Sequence, residues 1–208
     1  MDDSLDYSRI KAVIFDLGRV LVDVDFGGLL SELLPPERID REQLDLEKIM
    51  QQPWFRAFSM GKMDRETFYR RVSGHFELEL SREQFEQRWA SVFAPRPEME
   101  KIVRTLHGRI PLGLLSDTDP IHWEWLLNAY DFLALFKEPV LSFRIGAMKP
   151  SAVCYKLAAG AVKTPQQNCL FIDDRMINVQ GARECGMQAV CFESAGQVEA
   201  IVKKINLG

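Results

Sequence analysis

Short unbroken apolar runs recur along the chain, most of them ending on a polar residue. Residues 11–16 pass from Lys11 through Ala12, Val13, Ile14 and Phe15 to Asp16. A run of this length without alternation predicts a strand buried on both faces, as in a parallel sheet. Residues 110–116, 168–173 and 188–192 repeat the pattern, and residues 138–142 do so more weakly. Between them lie helical spacings. Met99, Ile102, Val103 and Leu106 define one face, and Val153, Tyr155, Leu157 and Ala161 a second. Val179, Ala182, Arg183 and Cys185 form a third, stopped by Gly186. Strands alternating with helices from about Pro97 onward predict an α/β chain built on a parallel sheet.

Residues 26–94 read differently. No strand is predicted there, and helix formers dominate. Ser81-Arg82-Glu83-Gln84 is a capping box, in which the hydroxyl takes a first-turn amide and the glutamine reaches back. Phe85, Trp89 and Val92 then share a face. Asp64 is placed to cap a helix carrying Phe68, Val72 and Phe76, and Leu33-Leu34-Pro35-Pro36 breaks an earlier helix. Ala94-Pro95-Arg96-Pro97 reads as the return connection. The expected division is residues 1–25 with 95–208 as an α/β core, and residues 26–94 as an inserted helical unit.

Composition narrows the function classes. Of 208 residues, 47% are hydrophobic and 27% charged, the balance of a globular enzyme. The net charge of −4 gives no broad positive field, so a nucleic-acid partner is not expected, and any bound anion needs a local site. No apolar stretch approaches the ~20 residues that span a bilayer, and no apolar run follows the acidic start, so a cytoplasmic protein without membrane contact is expected. Cys154, Cys169, Cys185 and Cys191 lack metal or redox spacing and read as buried small side chains. His75, His107 and His122 have no mutual metal spacing and read as structural or solvated.

Candidate chemistry sits at the strand ends. In open parallel sheets, ligands bind beyond the carboxyl ends of the strands. The first run ends in Asp16, the second in Ser116-Asp117-Thr118, and the run at 168 in Asp173-Asp174; Lys149 precedes Pro150, which suits the first position of a helix. Asp16 and Asp173 are hard oxygen donors of the kind Mg²⁺ takes, and a carboxylate is a covalent nucleophile toward phosphorus. Such a nucleophile needs its charge compensated, which Mg²⁺ and the Lys149 ammonium supply. Ser116 offers a hydroxyl to a phosphate oxygen.

These segments resemble the four motifs of the haloacid dehalogenase-like hydrolase superfamily, in order. Phe15-Asp16-Leu17-Gly18-Arg19-Val20-Leu21-Val22-Asp23 is similar to its first motif and Leu114-Leu115-Ser116-Asp117-Thr118 to its second. Met148-Lys149-Pro150 is similar to the third, and Phe171-Ile172-Asp173-Asp174 through Asn178, Gly181 and Gly186 to the fourth. The Asp-Leu-Gly variant is similar to that of bacterial sugar-phosphate phosphatases acting on α-D-glucose 1-phosphate. The resemblance implies a Rossmann-like parallel-sheet core with an inserted α-helical cap, and a magnesium-dependent phosphatase of small phosphorylated metabolites, monomeric or homodimeric. It implies Asp16 as nucleophile through an aspartyl-phosphate. Mg²⁺ would be held by Asp16, the Gly18 carbonyl, Asp173 and, indirectly, Asp174. Ser116 and Lys149 would hold the phosphoryl group, with Asp117, Gly18 and Arg19 near the substrate.

Two positions depart from that pattern. The family's phosphatases carry an acid two residues after the nucleophile, where this chain has Gly18; a leaving group that departs without help, or Asp23, Asp25, Asp117 or a cap residue, is then required. Asp117 stands where the related sugar-phosphate phosphatases have asparagine. A metal-free 2-haloacid dehalogenase and a weakly catalytic phosphometabolite-binding protein are the rival readings.

Overall fold

The structure, a computed structural model, describes residues 5–25, 28–29 and 52–205. Strand β1 (Ala12–Phe15) lies at the centre of a five-stranded sheet. It is followed by β2 (Val22–Val24), α1 (Pro53–Ser59), α2 (Arg65–Phe76), α3 (Arg82–Ala90) and β3 (Phe93–Pro95). Then come α4 (Pro97–Leu106), β4 (Leu112–Ser116), α5 (Pro120–Ala129), β5 (Val140–Leu141), the single turn α6 (Ser142–Ile145) and α7 (Ala152–Ala161). The chain closes with β6 (Cys169–Asp173), α8 (Met176–Glu184), β7 (Gln188–Cys191) and α9 (Ala195–Lys204). The sheet order is β5-β4-β1-β6-β7, and every pairing is parallel. The order reverses direction at β1, and both neighbours, β4 and β6, carry candidate residues at their carboxyl ends.

The unbroken apolar runs follow from coverage on both faces. In β1, Val13 and Phe15 point into one cluster with Met99, Val103, Trp123, Leu126 and Val198, from α4, α5 and α9. Ala12 and Ile14 point into the other, with Cys154, Tyr155, Ala158, Val179 and Ala182 from α7 and α8. Each buried aliphatic side chain contributes roughly 1.5–3 kcal/mol against exposure.

Helices α1, α2 and α3 have a separate apolar centre of Phe55, Phe58, Phe68, Val72, Phe85 and Trp89. Phe58 and Phe68 stack at 3.9 Å. The capping box at Ser81 and Gln84 forms as expected, and Asp64 accepts from the Thr67 N–H.

Four expectations need correction. Phe93–Pro95 is a strand, paired antiparallel with Val22–Val24, in a region read as strand-free or as simple connection; three-residue strands are too short for a periodic signal. On α7 the buried positions are Cys154, Tyr155, Ala158 and Ala159, while Val153 and Leu157 face outward, because small residues pack against the sheet where large ones were expected. Pro150 is not the first helical residue; Ser151 caps α7 and the Lys149–Pro150 bond is cis. Of the cysteines, Cys154 and Cys169 are buried, but Cys185 and Cys191 are partly exposed. The break predicted at Leu33-Leu34-Pro35-Pro36 lies outside the described residues.

Candidate active site

Three strand ends and the Lys149 loop converge at the carboxyl edge of the sheet. Asp16 follows β1 directly, and its N–H donates to Ile172 O of β6 at 2.8 Å, which keeps it in register with the neighbouring strand. Asp173 is the last residue of β6 and is fully buried. Lys149 reaches between them. Its Nζ lies 2.7 Å from Asp16 Oδ1, 2.6 Å from Asp173 Oδ2 and 3.3 Å from the Leu115 carbonyl at the end of β4. All three side chains are removed from solvent.

Supporting contacts fix this geometry. Asn178 Nδ2 donates to both oxygens of Asp173, at 2.9 and 3.1 Å, and the Arg175 N–H donates to Oδ1 at 2.8 Å. Tyr155 in turn donates to the Asn178 carbonyl at 2.8 Å. Gly181 lets α8 approach the Lys149 segment, since a Cβ there would stand 2.7 Å from Pro150 Cβ. On the other side, the Lys149 N–H donates to Asp117 Oδ1 at 3.1 Å. Thr118 is held by Ser142, whose hydroxyl accepts from its N–H and donates to its carbonyl, both at 2.9 Å. Ser116, buried at the end of β4, therefore sits on a braced loop.

The electrostatics show a surplus of negative charge. Burial would lower the Lys149 ammonium, but Asp16, Asp173 and Asp117 outweigh it and hold Lys149 well above its ordinary value. Burial pushes Asp16 up to about 7 and also raises Asp117 and Asp174. Asp16, Asp173 and Asp174 each offer an oxygen, and the three oxygens lie within 4.8 Å of one another. Three carboxylates gather around one buried ammonium, with only the exposed Arg19 guanidinium beside Asp174, and a divalent cation suits that surplus of negative charge. The donor set is all oxygen, as Mg²⁺ prefers. Asn178 Oδ1, buried beside Asp173, has no hydrogen-bond partner among the described residues, a place for water of a hydrated ion.

The remaining candidates divide. Gly18 bridges to Val22, and a Cβ there would meet Val24 Cγ2 at 3.2 Å. Arg19, at φ 60, directs its guanidinium toward Asp174 at 3.9 Å and is more than half exposed. Asp23 pairs with Arg96, and Asp25 accepts from the Gly28 N–H at 2.8 Å, so neither is brought to Lys149. His122 is buried among protein groups, paired with Asp119 at 2.8 Å. The tie from Asn178 to Asp173 had a sequence signal, since the asparagine was already part of the fourth motif. The Ser142 brace had none.

Comparisons with known proteins agree with this picture. Residues 10–186 match the haloacid dehalogenase-like hydrolase family. A D-ribitol-5-phosphate phosphatase of Bacteroides thetaiotaomicron is 24% identical over 188 residues, covering 86% of this chain and 90% of that protein. Among solved structures, a HAD family enzyme of the same organism, in complex with magnesium and inorganic phosphate, superposes with a TM-score of 0.76 at 21% identity. The match covers 88% of this chain and 94% of that one. An L-2-haloacid dehalogenase of Xanthobacter autotrophicus follows at TM-score 0.64 and 20% identity, over 93% of this chain and 83% of its own.

Proposed function

The chain belongs to the haloacid dehalogenase-like hydrolase family, and on that premise we propose that it is a magnesium-dependent phosphatase of small phosphorylated metabolites, sugar or sugar-alcohol phosphates foremost. The observation that carries this is the placement of Lys149 between Asp16 and Asp173, with Asp174 alongside. A haloacid dehalogenase uses the same Asp16 nucleophile but needs no metal, so it does not account for the three carboxylate oxygens gathered by Asp16, Asp173 and Asp174. A phosphatase uses the whole set. The D-ribitol-5-phosphate phosphatase among the relatives supports the substrate class.

In this reading Asp16 attacks phosphorus, the alcohol departs, and water then opens the aspartyl-phosphate to release inorganic phosphate. Lys149 holds a phosphoryl oxygen and keeps Asp16 oriented; Ser116 donates its hydroxyl to a second oxygen. Asp16, Asp173, Asp174 and the Gly18 carbonyl would hold Mg²⁺, which would supply charge neutralisation at the phosphoryl group. Gly18 cannot carry a proton. Of the carboxyl groups considered for that work, Asp117 alone accepts from the Lys149 backbone N–H, and burial raises its pKa, so it is assigned to protonate the leaving oxygen. Helices α1, α2 and α3 form the cap that contacts the remainder of the substrate.

The test is a panel of sugar phosphates and polyol phosphates with Mg²⁺ and with chelator, run on the wild type and Asp16→Asn. Metal-dependent phosphate release by the wild type and loss of at least ~10³-fold in the variant are expected. A folded Asp16→Asn that keeps wild-type turnover ends the mechanism.

A further inference from the structure

A second buried polar cluster joins the helical unit to the phosphate-handling loop. Asp119 ends the loop that begins at Ser116 and is 2% exposed. Its Oδ1 accepts from the Ile121 and His122 N–H groups at 2.9 and 3.0 Å, capping α5. Its Oδ2 accepts from Trp89 Nε1, on α3, at 3.1 Å. The same Oδ2 lies 2.8 Å from His122 Nδ1, and His122 Nε2 lies 2.9 Å from the Trp89 carbonyl oxygen. The Trp89 and His122 rings stack at 5.3 Å with planes 5° apart.

Both ring nitrogens of His122 face oxygens that only accept. A neutral imidazole has one N–H and can satisfy one of them; the imidazolium satisfies both. The cation also adds an opposite charge to the buried Asp119 carboxylate, beyond the N–H donors of Ile121, His122 and Trp89. Two more contacts fasten the helices along the same edge. Arg65 of α2 donates to the Pro120 carbonyl at 3.1 Å and pairs with Glu124 and Glu86. The Gly61 turn lies against Phe143 O, just past the carboxyl end of β5. The helices thus rest on the sheet edge where Asp16 and Asp173 end their strands.

We infer that His122, held as an imidazolium between Asp119 and the Trp89 carbonyl, is a positioning residue that seats the helical unit over the site and so sets affinity for the non-phosphate part of the substrate. This deepens the phosphatase reading and rests on it for substrate class. His122 touches no reacting atom. Its effect passes through Trp89 to the helices and through Asp119 to the loop of Ser116.

The experiment uses His122→Phe, which keeps a ring against Trp89 but removes both polar contacts, and Trp89→Phe, which removes the N–H to Asp119 while keeping an aromatic ring in the cluster. Turnover is measured on a sugar phosphate and on acetyl phosphate, whose acyl group is too small to reach the helices. In His122→Phe, kcat/KM for the sugar phosphate should fall about tenfold, mainly through KM, while acetyl phosphate changes less than about twofold. Trp89→Phe should shift the same ratio in the same direction by less. Amide hydrogen exchange supplies a readout free of activity: residues 82–90 should lose at least ~10-fold protection while β1 and β6 keep theirs. In the wild type, nitrogen NMR should show both imidazole nitrogens of His122 protonated. Equal losses on both substrates, unchanged protection of α3, or a neutral tautomer would each overturn the inference. A wild type inactive on every ester would sink the phosphatase reading instead, and the exchange result would still decide the role of His122.

Discussion

Lys149 Nζ lies 2.7 Å from Asp16 Oδ1, although 133 positions separate the two residues. The contact is formed without solvent, between an ammonium and a carboxylate that are costly to bury singly. Removing one partner of such a buried pair costs about 3–5 kcal/mol, because the other is left uncompensated. Lys149→Met should therefore lower stability by that order and reduce turnover by at least ~10²-fold. Magnesium should raise the urea midpoint of the variant more than that of the wild type, since the metal replaces the lost positive charge. Urea titrations with Mg²⁺ and with chelator check this; an unchanged midpoint would show that the pair carries no weight.

Acid should loosen the contact between α3 and α5. Burial alone would push the Asp119 carboxyl up, but the charge of His122 and the hydrogen bonds from His122 and Trp89 outweigh burial and hold it below the ordinary range. A carboxyl depressed on folding adds stability above its unfolded value, near about 3.9, and that stability is lost as pH falls through the folded value. The stability gap between wild type and Asp119→Asn should be widest near neutrality and close below about pH 4. Unfolding midpoints at successive pH values decide it; a gap constant with pH would contradict the charge assignment.

Gly61→Ala tests the seating of the helices directly. Gly61 has φ +66, and a Cβ would stand 2.1 Å from Phe143 O, a backbone atom that cannot swing aside. Left-handed strain adds roughly 1–2 kcal/mol to the displacement this forces. The expected result is a loss of more than ~2 kcal/mol, with α1 and α2 shifted away from α6. Denaturant unfolding measures the first and hydrogen exchange at residues 53–76 the second.

Ser81→Ala offers a contrast. The capping box is exposed and lies at the start of α3, so its removal should cost only about 1 kcal/mol and leave KM unchanged. A large effect on KM would mean that the start of α3 bears on the substrate.

The sheet was legible in the sequence because burial on both faces leaves unbroken apolar runs, and three of those runs ended on candidate site residues. Asp16, Ser116 and Asp173 were marked by their places at strand ends, and Lys149 by its place before Pro150 among four motifs in order. What the sequence did not reveal has physical causes. The Val22–Val24 and Phe93–Pro95 ribbon is too short for periodicity, and its pairing partners lie some seventy residues apart, which no local window spans. The outward-facing Val153 and Leu157 misled because α7 packs through Cys154, Tyr155 and Ala158, so size did not mark the buried face. His122 read as structural, which its burial supports, but its two polar partners come from Asp119, close in sequence, and Trp89, which is not.

The ribbon that pairs Val22 with Pro95 has a consequence for how such a protein changes over generations. It holds the two ends of everything between them side by side, like the neck of a purse. A segment anchored in that way can be lengthened, trimmed or exchanged while the strands beneath keep their places, since tolerance to insertion depends on adjacent ends and not on what they enclose. Selectivity and chemistry can then drift separately, one written in the loop above the neck and the other in the sheet below it.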